Sequence, residues 1–466
     1  MSNARRAALV LASLAALALA SLPAAAQVDD EVISGLQFNF TPPGARSLGL
    51  GGAFLAVAND ATAAYTNPAG LTNLTQREVL LEGRHFSTST LFSEGGRFNG
   101  TPTGFGVDTG GGLILGESDD EVASLSFVSY VQPIGDFRLA LYRHQLVDFE
   151  SSFRSRGVFF NEDGDCTSPS FEGCTRLFPI ETALELDIEN FGAAFAYQFG
   201  DSFSFGIGLN FYGFDIESST FRFDFSNPDF EGPGGFFGAP QYAGNNVFAT
   251  QVQSGSDDQF GINVGFLWEA SQYFSLGGVY REGADFDYEY TLACGPSDPA
   301  FCRTVPGLET GVRVVDATFG LPSVWGVGIA IRPIATFTIT VDYDNVEYSA
   351  LVDNFRVAAV PDALPSEFEV DDADEIHLGL EYVFAQLRNP ITIRAGAWED
   401  PAHQIRYEGN VPTTTIALWA GSQAADDETH LSFGLGFTIG ENFSIDVAGD
   451  FSERYDTAAL SAVYRF

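Results

Sequence analysis

The stretch TFTITVDYDN (336–345) sets Phe337, Ile339, Val341 and Tyr343 on one side of an extended chain, and Thr336, Thr338, Thr340, Asp342 and Asp344 on the other. A period of two with one apolar and one polar face marks a β-strand. The pattern returns along most of the 466-residue chain. HLSFGLGFTIG (430–440) alternates Leu431, Phe433, Leu435, Phe437 and Ile439 with Ser432, Gly434, Gly436 and Thr438. Most segments reach ten residues or more, against about five to six in soluble sheets. They fall at 78–92, 120–133, 137–151, 181–199, 203–226, 257–269, 273–292, 318–332, 336–352, 374–384, 390–400, 428–439, 442–452 and 455–466.

The connections alternate in length. Short turns lie at Ile134–Asp136, Gly200–Ser202, Ala270–Gln272, Pro333–Ala335, Leu387–Asn389 and Gly440–Glu441. Long polar loops lie near 93–119, 152–180, 227–256, 293–317, 353–373 and 401–427, and only the outward turn at Glu453-Arg454 is short. Short turns on one side and long loops on the other are the plan of an outer-membrane barrel. Closure satisfies every strand edge, as lipid requires. The expected fold is all-β: a fourteen-stranded antiparallel transmembrane barrel, apolar faces to lipid and polar faces inward. Trp268, Trp325, Tyr382 and Tyr464 suit interfacial girdles.

ALELDIENFGAAFAYQF (183–199) is less regular. Leu184, Leu186 and Ile188 share a face opposite Glu185, Asp187 and Glu189, and then Phe191, Phe195, Tyr197 and Phe199 take the large apolar positions one residue out of phase. Either a bulge near Glu189–Gly192 absorbs the slip, or the large residues change face there. The expected polar lining of the lumen is Glu185, Asp187, Glu189, Arg281, Asp342, Asp344, Glu381 and Arg394, with Asp446 and Asp450 on the same face.

Export is written at the start. Arg5 and Arg6 precede an apolar run from Ala7 to Leu22, and Ala24-Ala25-Ala26 before Gln27 fits a cleavage site. Residues 1–26 read as a signal peptide, 27–76 as a plug and 77–466 as the barrel. No later run approaches the ~18 apolar residues of a membrane-spanning helix. Every one of the 22 basic residues is arginine, against 62 acids and a net charge of −40. Such a chain repels nucleic acid, and no basic patch suits a membrane surface. In an exported chain, the pairs Cys166/Cys174 and Cys294/Cys302 read as two loop disulfides, and no histidine stands at zinc-ligand spacing. His85, His144, His377, His403 and His430 form no recognisable catalytic or metal spacing, so neither an enzyme nor a cofactor is expected. NEDGDC (161–166) reads as a solvated acidic turn rather than a calcium loop, and EGPGGFFGAP (231–240) as a Gly/Pro-rich loop tip. The chain ends TAALSAVYRF, and Tyr464 with the terminal Phe466 resembles the signature by which the barrel-assembly machinery recognises its substrates.

Fourteen strands enclose more space than their own side chains fill. The stretch GARSLGLGGAFLAVANDATAAYTNPAGLTNL (44–74) precedes the first strand and suits a plug. It resembles the N-terminal hatch of the FadL family of outer-membrane transporters for long-chain fatty acids and other hydrophobic compounds, above all in Asn67-Pro68-Ala69. LPSVWGVGIAIRPIATFTITVDYDNVEYS (321–349), the patches within 374–398, and DETHLSFGLGFTIGENFSIDVAGDF (427–451) are similar too. The resemblance implies a hatch gated at Asn67, Pro68 and Ala69, at the wall near the first four strands. It also implies passive uptake of a hydrophobic small molecule and sideways release into outer-membrane lipid. In the family the opening comes from a kink in the third strand, whereas FRLALYRHQLVDFESSF (137–153) has no Gly or Pro to mark one. The acidic inner face points to a neutral substrate, or to one held by a local arginine. The alternative is a PorV-like barrel serving protein secretion or surface attachment.

Overall fold

The computed structural model describes residues 40–161, 166, 171, 173–224, 234–304, 308–353, 368–407 and 427–466. The signal segment, the first plug residues to 39, most of NEDGDC and the start of the Gly/Pro-rich tip lie outside them. Fourteen wall strands follow in order: β1 (Glu78–Arg97), β2 (Gly112–Ile134), β3 (Phe137–Ser155), β4 (Ile180–Phe199), β5 (Phe203–Phe223), β6 (Val247–Ser271), β7 (Phe274–Arg281 and Ala284–Cys294) and β8 (Val312–Leu321 and Val324–Ile334). The rest are β9 (Phe337–Val346), β10 (Ala373–Phe384), β11 (Ile391–Asp400), β12 (Glu428–Ile439), β13 (Phe443–Phe451) and β14 (Tyr455–Arg465). Each pairs antiparallel with its successor, and β14 returns to β1 from Glu78↔Arg465 to Thr88↔Tyr455, which closes the barrel.

Both cysteine pairs are bonded, with Cα separations of 4.8 Å for Cys166–Cys174 and 5.8 Å for Cys294–Cys302. Each staples a loop on the side of the long connections. There Arg97 is buried in an ion pair with Asp108 (2.7 Å), and Phe159 stacks on Phe237 at 5.5 Å in an aromatic cap.

Inside and outside exchange character part-way up the wall. Low on β5, Phe203, Phe205, Ile207 and Leu209 are exposed, and Ser204, Gly206, Gly208 and Asn210 are buried. Higher up, Tyr212, Phe214 and Ile216 are buried, while Asp215 and Glu217 are exposed. The β4–β5 ladder runs without a register shift from Ile180↔Arg222 to Phe199↔Phe203, so β4 has no bulge. The parity of the strand is constant, and the medium on each side changes. Below, lipid takes the apolar row; above, water takes the acids. Glu185, Asp187 and Glu189 therefore lie on the outer face, behind the buried row Leu184, Leu186 and Ile188, and do not line the lumen. The register shift sits across from them in β3, between Gln145 and Val147, where Leu146 is the extra residue.

Candidate transport passage

Residues 40–74 fill the lower barrel with three short helical turns, Ala45–Leu48, Ala63–Thr66 and Pro68–Asn73, and the wall supplies most of their anchors. Small residues let hatch backbone lie directly on the sheet. A Cβ on Gly206 would strike the Pro68–Ala69 backbone, and one on Gly396 would strike Leu50 and Gly51. The inward polar row then satisfies hatch groups that no water reaches. Glu82 accepts from Gly44 N–H (2.6 Å), Glu78 from Ala61 N–H (2.6 Å) and Asp342 from Leu55 N–H (2.7 Å). Arg46 donates to both carboxylate oxygens of Glu381 (3.0 and 3.1 Å), and Arg394 joins Glu381 to Asp446, each at 2.7 Å. Trp398 lies between His377 and His430. His377 Nδ1 meets Gly51 O (2.7 Å), and His430 Nδ1 meets Asp450 (2.6 Å). Four of the five histidines are buried, and three of them pair with acids: His377 with Glu375, His403 with Asp400 and His430 with Asp450.

Asn67 is fully buried. Its side-chain amide donates to Leu55 O (2.9 Å) and to Phe266 O on β6 (3.1 Å), and its oxygen accepts from Ala69 N–H (3.2 Å), capping the turn that Pro68 begins. The motif touches β5 and β6 at Gly206 and Gly265, and the turn that it begins, Pro68–Asn73, also packs on β4 and β3, so it reaches the expected strands and extends past them. Of the other residues singled out, Arg281, Asp342, Asp344, Glu381 and Arg394 face inward and meet the hatch or its supports, not an open water channel. The sequence pattern did not single out Glu78, Glu82 and Asn263, and it gave His377 no role. Each sits on the polar parity of its strand, and that parity was the available signal.

Above the hatch the interior is apolar. Phe149, Phe153, Leu184, Ile188, Phe214 and Phe286 belong to one buried cluster that reaches Tyr348 under the outer loops. This cluster adjoins a split in the wall. β2 and β3 pair from Ile134↔Phe137 up to Phe127↔His144 and no further, although both strands continue. Beyond the extra residue Leu146, β3 has no ladder to β2 and pairs with β4 as far as Ser155↔Ile180, although Ser118 Oγ still donates to Ser152 O higher up (2.9 Å) and Ser155 Oγ to Ser93 O of β1 (2.5 Å). At the foot of the split is a cavity of about 30 Å³ of mixed lining, with Val122, Leu146, Val147 and Phe149 among its apolar groups and Arg84, Asp120 and Asp148 among its polar groups. The space is of the order of a water molecule. A third-strand kink is present without Gly or Pro, because a one-residue bulge turns the strand.

A family model described as Outer membrane protein transport protein (OMPP1/FadL/TodX) matches residues 176–456. The chain belongs to this family. It is accordingly an outer-membrane protein, and its exposed lower rows are the lipid-facing wall. No curated protein matches it in sequence. Among solved structures, a Pseudomonas aeruginosa FadL homologue is similar at a TM-score of 0.60 and 15% identity, over 92% of this chain and 100% of that one. The Ralstonia pickettii toluene transporter TbuX is similar at 0.53 and 14%, over 92% and 100%. The P. putida toluene transporter TodX is similar at 0.54 and 13%, over 92% and 99%. At these identities the likeness is one of fold.

Proposed function

We propose that this barrel takes up hydrophobic small molecules passively, carries them down the apolar interior, and releases them sideways where β2 and β3 part. The observation that carries this reading is continuity. Phe149 and Val147 belong both to the buried apolar cluster and to the lining of the cavity at the foot of the split. A greasy molecule gains nothing from an exit into water, because leaving apolar surroundings costs about 25 cal/mol per Å² exposed. The hatch, anchored by Asn67 and the Arg46–Glu381 pair, blocks the straight path to the periplasm. The relatives named as toluene transporters support a hydrocarbon-like cargo, and nothing in the site favours a secretion shuttle or catalysis. Residues 1–26 would direct export, and the exposed Tyr464 and Phe466 suit recognition by the assembly machinery.

The test is uptake of a radiolabelled hydrocarbon and a radiolabelled fatty acid into proteoliposomes. Uptake of at least one above protein-free vesicles is expected. Rates equal to those of empty vesicles for both would sink the proposal.

A further inference from the structure

The wall parts a second time, between β6 and β7. Below, they pair from Ser271↔Phe274 to Asn263↔Arg281; above, from Ser254↔Glu289 to Ala249↔Cys294. In between, residues 255–262 of β6 face residues 282–288 of β7 without a ladder, and β6 carries one residue more. An extra residue on one strand breaks the pairing and bends that strand. Among the described residues one backbone bond crosses this stretch, from Glu282 N–H to Ile262 O (2.8 Å). Side chains make the other crossings. Glu282 accepts from Ile262 N–H (3.1 Å) and Asp257 from Asp287 N–H (3.1 Å). Tyr212 of β5 reaches past Gly261 to donate to Glu282 O (3.2 Å).

The neighbouring strands are broken at the same place. Glu282 and Gly283 interrupt β7, and Pro322 and Ser323 interrupt β8. Gly283 lies so close to Leu321 O and Pro322 that a Cβ there would collide. The upper β7–β8 hairpin, paired from Ala284↔Leu321 to Ala293↔Val312, thus joins the lower wall through two irregular links side by side. A few such residues at element ends are what a hinge needs.

Aromatic rings close the slit from within. Tyr288 sits against Gly255 and the Tyr212 ring against Gly261, where a Cβ on either glycine would collide. Between them Phe214 of β5 stacks on Phe286 of β7 at 4.9 Å, across the inner side of β6. All four rings belong to the buried apolar cluster. Outside, a groove of about 550 Å³ reaches the lower end of the slit, with Phe191, Leu209, Phe260 and Ile262 on its rim and Glu282 at its end. Gly261 lines this groove and touches the Tyr212 ring on its other side. One glycine and one ring therefore separate the lipid face from the apolar interior.

We infer that the β6–β7 slit is a second lateral port, through which hydrophobic cargo exchanges between the interior and the lipid outside, and that the Tyr212 ring is its shutter. A ladder opens cooperatively along its length, whereas these side-chain crossings release singly, so this stretch is the low-stability part of the wall. The groove is of the size that holds small molecules. When Tyr212 swings off Gly261, the groove meets Phe214 and Phe286 with no strand displaced. The port rests on the uptake reading above and adds a route to it, set apart from the β2–β3 split by the sheet from β3 to β6. A molecule already dissolved in the outer lipid layer can enter there without passing the outer loops.

The test reads uptake of radiolabelled naphthalene by proteoliposomes in the Val122→Trp background, where the β2–β3 route is narrowed. All four cysteines are disulfide-bonded, so Ile262→Cys supplies a single thiol on the groove rim. Alkylating it with pyrene maleimide fills the groove mouth and is expected to cut the remaining uptake roughly threefold or more. Alkylated Leu460→Cys, on the lipid face of β14, should match its unlabelled form. Tyr212→Ala should raise the remaining uptake roughly threefold or more, about the worth of the lost hydrogen bond. Tyr212→Phe, which keeps the ring, should fall between. Retained heat-modifiable mobility on electrophoresis checks that each variant is folded. Unchanged uptake on alkylation at residue 262 overturns the port, and no gain from either Tyr212 variant overturns the shutter. Wild-type uptake equal to that of empty vesicles overturns the transport reading itself.

Discussion

Phe127 and His144 are the last partners across β2 and β3, their rings meeting edge to face at 5.5 Å, and above them the ladder stops. The cavity beyond is too small for a toluene-sized molecule, so cargo leaving there, as proposed, would have to push side chains aside. Filling it should close the route. Val122→Trp adds a bulky ring where packing is already near native density, and proteoliposome uptake should fall roughly fivefold or more with the barrel intact. An unchanged rate would place the exit elsewhere.

Asn67→Ala removes three hydrogen bonds at once and leaves Leu55 O, Phe266 O and Ala69 N–H without these partners. Each buried group left unmatched costs about 1–3 kcal/mol. The barrel ladder does not depend on them, so the loss falls on hatch docking. Amide exchange across residues 44–74 should speed up by about thirtyfold or more, the equivalent of ~2 kcal/mol, with strand amides unaffected. Exchange that accelerates equally in hatch and strands would show that the motif supports the whole fold instead.

Gly396→Val places a branched side chain where the hatch backbone at Leu50 and Gly51 already lies. The sheet accepts valine readily, and the hatch has no room to yield. The expected result is a folded barrel with a displaced plug, read as greater sensitivity of cells to vancomycin. A variant as resistant as wild type would mean that the plug re-packs.

Under the outer loops His403 stacks on Tyr348 at 4.0 Å, with Asp400 at 3.4 Å. Burial disfavours the imidazolium, and Asp400 outweighs it, so the His403 pKa lies above its ordinary value. A raised histidine pKa contributes stability that is complete below the unfolded value and is lost as pH rises through the folded one. Amide protection in residues 348–353 and 400–407 should therefore be highest near pH 6 and decline towards pH 9. His403→Gln should flatten that profile, and a profile that keeps its slope in the variant would assign the effect to another group.

Much of the wall was legible because strand parity is local. Each of the fourteen segments found from alternation corresponds to a wall strand, with ends misplaced mainly where strands extend past the lipid, as at Val247 and Gly112. The two staples could be read from compartment and spacing. What alternation could not say is which side a row faces once the surroundings change. Glu185, Asp187 and Glu189 were placed inside because polar rows face inward at lipid depth, and they sit above it. The third-strand kink was hidden for a related reason. Leu146 is an ordinary strand former, and its bulge follows from pairing with β4, a relation between distant segments. The hatch supports, such as Glu82 with Gly44, lie far apart in sequence and carry no spacing signature.

The exchange between Phe211 and Tyr212 also acts as a depth gauge. Moving the barrel outward by one pair of residues would lift the Phe203 end of the wall into the headgroups. Moving it inward would drag Asp215 and then Glu217 towards hydrocarbon, at a cost that grows with depth. The same boundary continues onto the neighbouring strand, where Phe260 pairs with Phe211 and the exposed Asp258 follows above it. The β2–β3 split starts near that height. Cargo leaving there would arrive where acyl chains meet headgroups and could enter either layer without crossing the other.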